Sequence, residues 1–223
     1  MLSNDESKDN VVRQRKIKNE EERLSEHNQY LIKEPQRWKG KWQQLFNNKN
    51  NIYTELGCGK GQFILTMALL YPDNNYIAFE GRGSIILRAL EKAAQKDSKN
   101  IVFVKEYIKD SNEYFEGNEL SGIYLNFSDP WPKDRHSKRR LTHSSYLEGY
   151  RTVLKKDGFI EFKTDNDGLF FFALDEFNNQ GMKCLEFSRD LHSTELDAKK
   201  VTTEYEDKFR ASGKKINYCK VQV

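Results

Sequence analysis

Cysteine is scarce in this chain. Cys58, Cys184 and Cys219 stand far apart in 223 residues, which excludes a disulfide framework or a cysteine zinc cluster and fits a reducing compartment. Long apolar runs are missing too. None approaches the roughly 18 residues of a bilayer span, so no membrane partner is expected. The opening Met1–Glu6 is too acidic for a signal peptide, and a cytoplasmic protein is expected. His27, His143 and His192 show no ligand spacing with one another or with cysteine, so no metal site is expected. Without internal repeats or a low-complexity linker, the length corresponds to one sizeable domain, with or without a tail.

Net charge is small as well, at +3, but it is unevenly spread. Residues 131–156 hold eight basic side chains against two acids. The densest run is Lys133, Arg135, Lys138, Arg139 and Arg140. It is either a solvated face or a polyanion site, where clustered cations gain affinity by releasing phosphate counterions. Aromatic residues make up 13% of the chain, which argues against wholesale disorder although only 37% is hydrophobic and 32% is charged.

Residues 1–47 read as an N-terminal extension. Charges of both signs (Arg13, Arg15, Lys16 and Lys18, then Glu20, Glu21 and Glu22) give a partly flexible arm. Trp38, Trp42, Leu45 and Phe46, at i, i+4, i+7 and i+8, predict a short helix packed on a core. From residue 48 to 223, strands and helices alternate. Strands are predicted at 51–56, 75–79, 101–105, 122–127, 158–164, 183–188 and 216–223, and helices at 62–71, 84–95, 144–154, 169–179 and 204–211. The pattern implies an α/β fold: a mostly parallel central sheet of about seven strands, helices on both faces, with room for an antiparallel member among the last strands.

Two strand ends carry the chemistry. At the first, Glu55-Leu56-Gly57-Cys58-Gly59-Lys60-Gly61 joins a strand to a helix. Glycines there permit positive φ and close backbone approach, so the turn can admit a ligand, although a plain tight turn uses the same residues. The spacing of Gly57, Gly59 and Gly61 is not that of dinucleotide folds, which disfavours a nicotinamide dehydrogenase. A cationic ligand such as S-adenosylmethionine does not need a helix N-terminus as an anion site. Glu55 suits an ammonium group, and Glu80, at the next strand end, stands where an acid holds ribose hydroxyls. Cys58 reads as a small filler in this loop rather than a nucleophile.

The second strand runs into Asn126, Ser128 and Asp129, then Pro130-Trp131-Pro132 stiffens the exit. Trp131 offers a face for stacking a base, or a core contact. With the cationic run behind it, this segment presents a nucleotide to the first site.

Asn126–Leu141 (NFSDPWPKDRHSKRRL), Phe162–Asn166 (FKTDN) and Thr203–Glu206 (TEYE) closely resemble the bacterial tRNA (guanine-N7-)-methyltransferases. The resemblance runs from about Pro35 onward. It implies a Rossmann-like class I methyltransferase that uses S-adenosylmethionine on a variable-loop guanine of tRNA, as a monomer or homodimer. By resemblance, Glu55, Gly57, Gly59, Gly61, Glu80, Asn126 and Asp129 serve the cofactor, and Asp129 is the catalytic position. Lys133, Asp165, Thr203, Glu204, Tyr205 and Glu206 serve the substrate, and the run of Arg135, His136, Lys138, Arg139 and Arg140 contacts RNA. After the third strand, where the family often has an acid or amide near the adenine, this chain has Tyr107 flanked by Glu106. Either of the two fills that role.

Two other functions remain open on sequence. Asp129-Pro130-Trp131 also resembles the Asp/Asn-Pro-Pro-aromatic loop of amino-group methyltransferases. A non-catalytic RNA-binding module on the same fold is the third reading, and the intact glycine turn with Glu55 argues against it.

Overall fold

The structure is a computed structural model that describes residues 18–223; Arg13, Arg15 and Lys16 of the charged arm lie outside the described residues. Eight strands form one sheet: β1 (Leu31–Ile32), β2 (Asn51–Leu56), β3 (Asn74–Phe79), β4 (Ile101–Val104), β5 (Leu120–Asn126), β6 (Leu154–Thr164), β7 (Lys183–Ser188) and β8 (Asn217–Gln222). Their order is β1-β4-β3-β2-β5-β6-β8-β7. All neighbours are parallel except the two pairs made by β8, which runs antiparallel to both β6 and β7. The mostly parallel sheet and its antiparallel member are thus those read from the pattern. The eighth strand is β1: two residues beside Phe103 and Val104, too short to leave a periodic signal.

Both faces are buried, as a parallel sheet requires. Alternation along each strand divides the core. Tyr76, Ala78 and Phe103 face α3 (Gln62–Leu70) and α4 (Gly83–Gln95), while Ile77, Phe79 and Val104 face the opposite layer. That second layer holds α5 (Ser144–Val153) and α6 (Asp167–Asn179), which bury Leu147, Tyr150, Phe170 and Phe177 against Ile123 and Phe162. α1 (Glu20–Ser25) precedes β1, α2 (Trp42–Leu45) lies between β1 and β2, and α7 (Glu204–Ala211) precedes β8.

The single helix expected within Pro35–Phe46 is two pieces, a 3-10 turn at Pro35–Trp38 and α2. Gly40, at φ 71, breaks the run between them. Trp42 is nevertheless fully buried, its indole N–H donating to the Tyr114 carbonyl at 2.9 Å. None of the helices among the described residues is long and apolar enough to cross a membrane.

From β2 the chain winds outward through β3 and β4, then returns to lay β5 on the other side of β2. This reversal leaves a crevice beyond the carboxyl ends of β2 and β5. Gly61 starts α3 there at φ 78, and a Cβ on it would stand 2.8 Å from the Ala89 Cβ of α4. Gly61→Ala is therefore expected to destabilise the fold by about 2–4 kcal/mol, through strain and overpacking together. In urea denaturation, combining it with Ala89→Gly is expected to lower stability by less than the sum of the two single changes; simple additivity would contradict the contact.

Candidate functional site

At the switch point, three neighbouring strand ends present a carboxylate, an amide and an ammonium. Glu55 of β2 is 1% exposed, and its Oε1 accepts from the Asn126 side-chain amide of β5 at 2.8 Å. Its other oxygen is buried and has no hydrogen-bond partner among the described residues. Burial pushes the Glu55 carboxyl up to about 8, against the pull of Asn126, while Glu204 adds to the rise and Lys163 opposes it. Next in register to Asn126 is Lys163 of β6.

Around this row the glycine turn is tied to β3, since the N–H groups of Gly57 and Cys58 both donate to the Phe79 carbonyl at 2.9 Å. A Cβ on Gly57 or Gly59 would meet nothing within 4 Å, so both face open space, unlike Gly61. Burial and the nearby Glu55 carboxylate push the Cys58 thiol well above its ordinary range, which suits a filler and not a nucleophile. Glu80 is half-buried at the end of β3. It accepts the Arg82 N–H at 2.9 Å and a backbone hydrogen bond from Gly59, and burial pushes its pKa up.

Sequence left Tyr107 and Glu106 as alternatives, and the two side chains lie in different surroundings. The Glu106 carboxylate is taken by the Tyr114 hydroxyl at 2.6 Å and by Gln36 at 3.3 Å. The Tyr107 ring lies directly on the backbone of Gly81, where a Cβ would be 2.2 Å from it, and beside Arg82. Tyr107 is thus the residue over the turn that follows Glu80.

The loop after β5 is bent sharply. Phe127 and Trp131 both have positive φ, 51 and 42, a conformation costing bulky residues about 1–3 kcal/mol each. Asp129 lies exposed between them, within electrostatic reach of Glu80 and Arg82. The cations that follow sit on a 3-10 turn, Asp134–Arg139. Lys133, Arg135, Lys138 and Arg139 are exposed and form no ion pair among the described residues. Arg139 lies 4.8 Å over the Trp131 ring, and His136 meets that ring edge-on. Arg140 departs from the run: it is 9% exposed and donates to the Pro130 and Trp131 carbonyls.

The segment 203–206, far downstream of the glycine turn, is folded against it. Gln62, at the start of α3, donates to Asp207 at 2.7 Å and to the Thr202 carbonyl at 3.3 Å. Glu204 pairs with Lys92 of α4 at 2.6 Å, and the same ammonium reaches the Lys60 carbonyl. Thr203 caps α7 by accepting from the Glu206 N–H at 3.0 Å, and Tyr205 stands in solvent. Glu206, implied as a substrate contact, is fully buried with both oxygens engaged, by Lys163 at 3.3 Å and His192 at 2.7 Å. Asp165 is partly buried and pairs with Lys214 at 2.8 Å.

Lys163 is a buried neighbour of this row that lies in the quoted FKTDN segment and was given no role from sequence. Its 1%-exposed ammonium donates to the Ala198 and Val201 carbonyls at 2.7 and 2.8 Å as well as to Glu206. The one signal for it was a lysine following the apolar Phe159, Ile160 and Phe162 at the end of its strand.

A family profile described as "Putative methyltransferase" matches residues 49–219. The chain is 46% identical to a tRNA (guanine-N(7)-)-methyltransferase of Oceanobacillus iheyensis over 94% of its own length and 98% of the relative's. It is 45% identical to the protein of that name in Clostridioides difficile, over 95% and 99%. Among solved structures, the 16S rRNA methyltransferase KamB superposes with a TM-score of 0.61 at 13% identity, covering 82% of this chain and 93% of that one. KamB speaks for the fold alone. The two bacterial relatives, aligned almost end to end at nearly half identity, place this chain in the tRNA (guanine-N7-)-methyltransferase family.

Proposed function

We propose that this chain transfers a methyl group from S-adenosylmethionine to N7 of a guanine in tRNA, in the variable loop as the family resemblance implies. One observation carries the reading. Glu55 is a wholly buried carboxylate with one oxygen bonded to Asn126 and the other without a partner among the described residues, at the sheet's switch point and one short loop from Asp129. An unpartnered buried carboxylate is relieved by a cation, and S-adenosylmethionine brings an ammonium. The residues fit the rest of that molecule: open space beside Gly57 and Gly59, a carboxylate at Glu80 for ribose hydroxyls, and the Tyr107 ring beyond it for the adenine. When bound, the cofactor supplies an electrophilic methyl on a positively charged sulfur.

Guanine N7 holds a lone pair and no proton, so in-line displacement calls for no general base. The protein's task is alignment, with nucleophile and methyl about 3 Å apart and collinear with the leaving sulfur. Asp129, on its rigid bend, accepts from guanine N1–H and N2–H and favours the positive charge that develops on the ring. Lys133, Arg135, Lys138 and Arg139 stand exposed on the next turn to take phosphates, which position RNA without reading its sequence. They offset the few kcal/mol needed to draw the base from its stack.

The direct test supplies labelled S-adenosylmethionine and unmodified tRNA, followed by digestion to nucleosides. N7-methylguanosine is the expected product; a methylated amine or no transfer would refute the reading. Asp129→Asn is expected to lower turnover about 10- to 100-fold at saturating tRNA, and wild-type turnover would remove its role. Cofactor binding should depend on pH through Glu55. Below about 8 the free carboxyl is protonated, and a cationic ligand selects the ionised form. Calorimetry should then show Kd falling by up to about tenfold per unit from roughly pH 6 to 7.5, with proton release. Glu55→Gln should weaken binding and flatten that dependence. Neutralising Arg135, Lys138 and Arg139 together should weaken tRNA binding and make log Kd against log salt shallower by about 2; an unchanged slope would count against the strip.

A further inference from the structure

The cationic run has one member that behaves unlike the others. Arg140 is buried, and no carboxylate pairs with it among the described residues. Its Nε donates to the Pro130 carbonyl at 3.1 Å and its Nη2 to the Trp131 carbonyl at 3.0 Å, while the guanidinium lies 4.3 Å over the Phe172 ring of α6. Two consecutive carbonyls thus meet one edge of the planar fork, a fit that a lysine ammonium does not reproduce.

What the fork holds is strained. Trp131 has φ 42 directly before Pro132, where both its own side chain and the following ring disfavour that backbone. Such a bend persists only where its surroundings enforce it. Phe127, at φ 51, packs against Phe209 of α7 on one side of Asp129. Arg140 supplies the restraint on the other side, anchored to α6 through Phe172.

We infer that Arg140 is a positioning residue for methyl transfer: it braces the Ser128–Pro132 bend that carries Asp129, and its guanidinium does not contact RNA. The inference rests on the functional reading above for its effect on turnover, and on the loop geometry alone for the brace. It separates the run by task. Four exposed cations remain for phosphate, and the fifth holds the loop that must keep Asp129 in register with the base.

The test is made on the full chain carrying fluorotryptophan at Trp38, Trp42 and Trp131, with the Trp131 fluorine resonance assigned by Trp131→Phe. Arg140→Lys keeps the charge and removes the fork. It is expected to shift or broaden the Trp131 resonance alone and to lower kcat about 10- to 100-fold at saturating tRNA. The salt slope of tRNA binding should stay that of the wild type, whereas Lys138→Gln makes it shallower. Phe172→Leu, which removes the ledge and leaves the fork, should move the Trp131 resonance in the same way and serves if Arg140→Lys fails to fold. An unmoved Trp131 resonance with full kcat and a shallower slope would make Arg140 an RNA contact and overturn the inference. So would equal shifts at all three tryptophans, which would mark general support of the fold. A wild-type chain inactive on tRNA, whose Trp131 resonance still answers to Arg140→Lys, would refute the functional reading and uphold the brace.

Discussion

A carboxylate removed from water at the end of a parallel strand loses far more hydration than one amide hydrogen bond returns, and Glu55 is held in that state. The surroundings answer this in layers. Asn126 takes one oxygen from the next strand, and Lys163 lies one strand further on, close enough to act on the carboxyl through space. Lys163 is itself desolvated, which pushes its pKa down, and Glu206 opposes that shift from the far side. The site is therefore a chain of buried polar groups running across β2, β5, β6 and α7, in which each member limits the penalty of its neighbour.

That chain fixes where the downstream segment of the site begins. The Lys163 ammonium fastens the Ala198 and Val201 carbonyls, and from there α7 starts under its Thr203 cap. Glu204 then reaches α4, and Gln62 reaches Thr202 and Asp207, so the downstream segment closes against the first turn of α3. Glu206 is buried because it anchors this arrangement. Its motif neighbours divide between capping (Thr203), bridging (Glu204) and exposure (Tyr205), which gives a four-residue motif four separate physical tasks.

Much of this was legible in the residues. The bounds 51–56, 183–188 and 204–211 agree with the structure, and most other elements shift by one or two residues. The widest shift is β6, whose strand starts at Leu154, in a stretch the pattern assigned to the end of a helix. Glu55 and Glu80 could be placed because they sit at strand ends beside glycines. Arg140 and Lys163 could not be. A cation in a basic run and a lysine within a motif carry no mark in sequence of whether water or protein surrounds them. β1 was missed for a different reason, since two residues are shorter than any period.

The placement of β8 bears on how the protein comes into being. β7 touches the sheet only through β8, which lies between it and β6 and is made of residues 217–222. During synthesis, β7 leaves the ribosome almost thirty residues before β8, its one pairing partner among the described residues, so this end of the sheet stays open until residues 217–222 follow. Non-local pairing of this kind is slow and exposes sticky surface in the meantime. The exposed Leu185 and Phe187 on β7 would then be a hazard for the nascent chain before they belong to an enzyme.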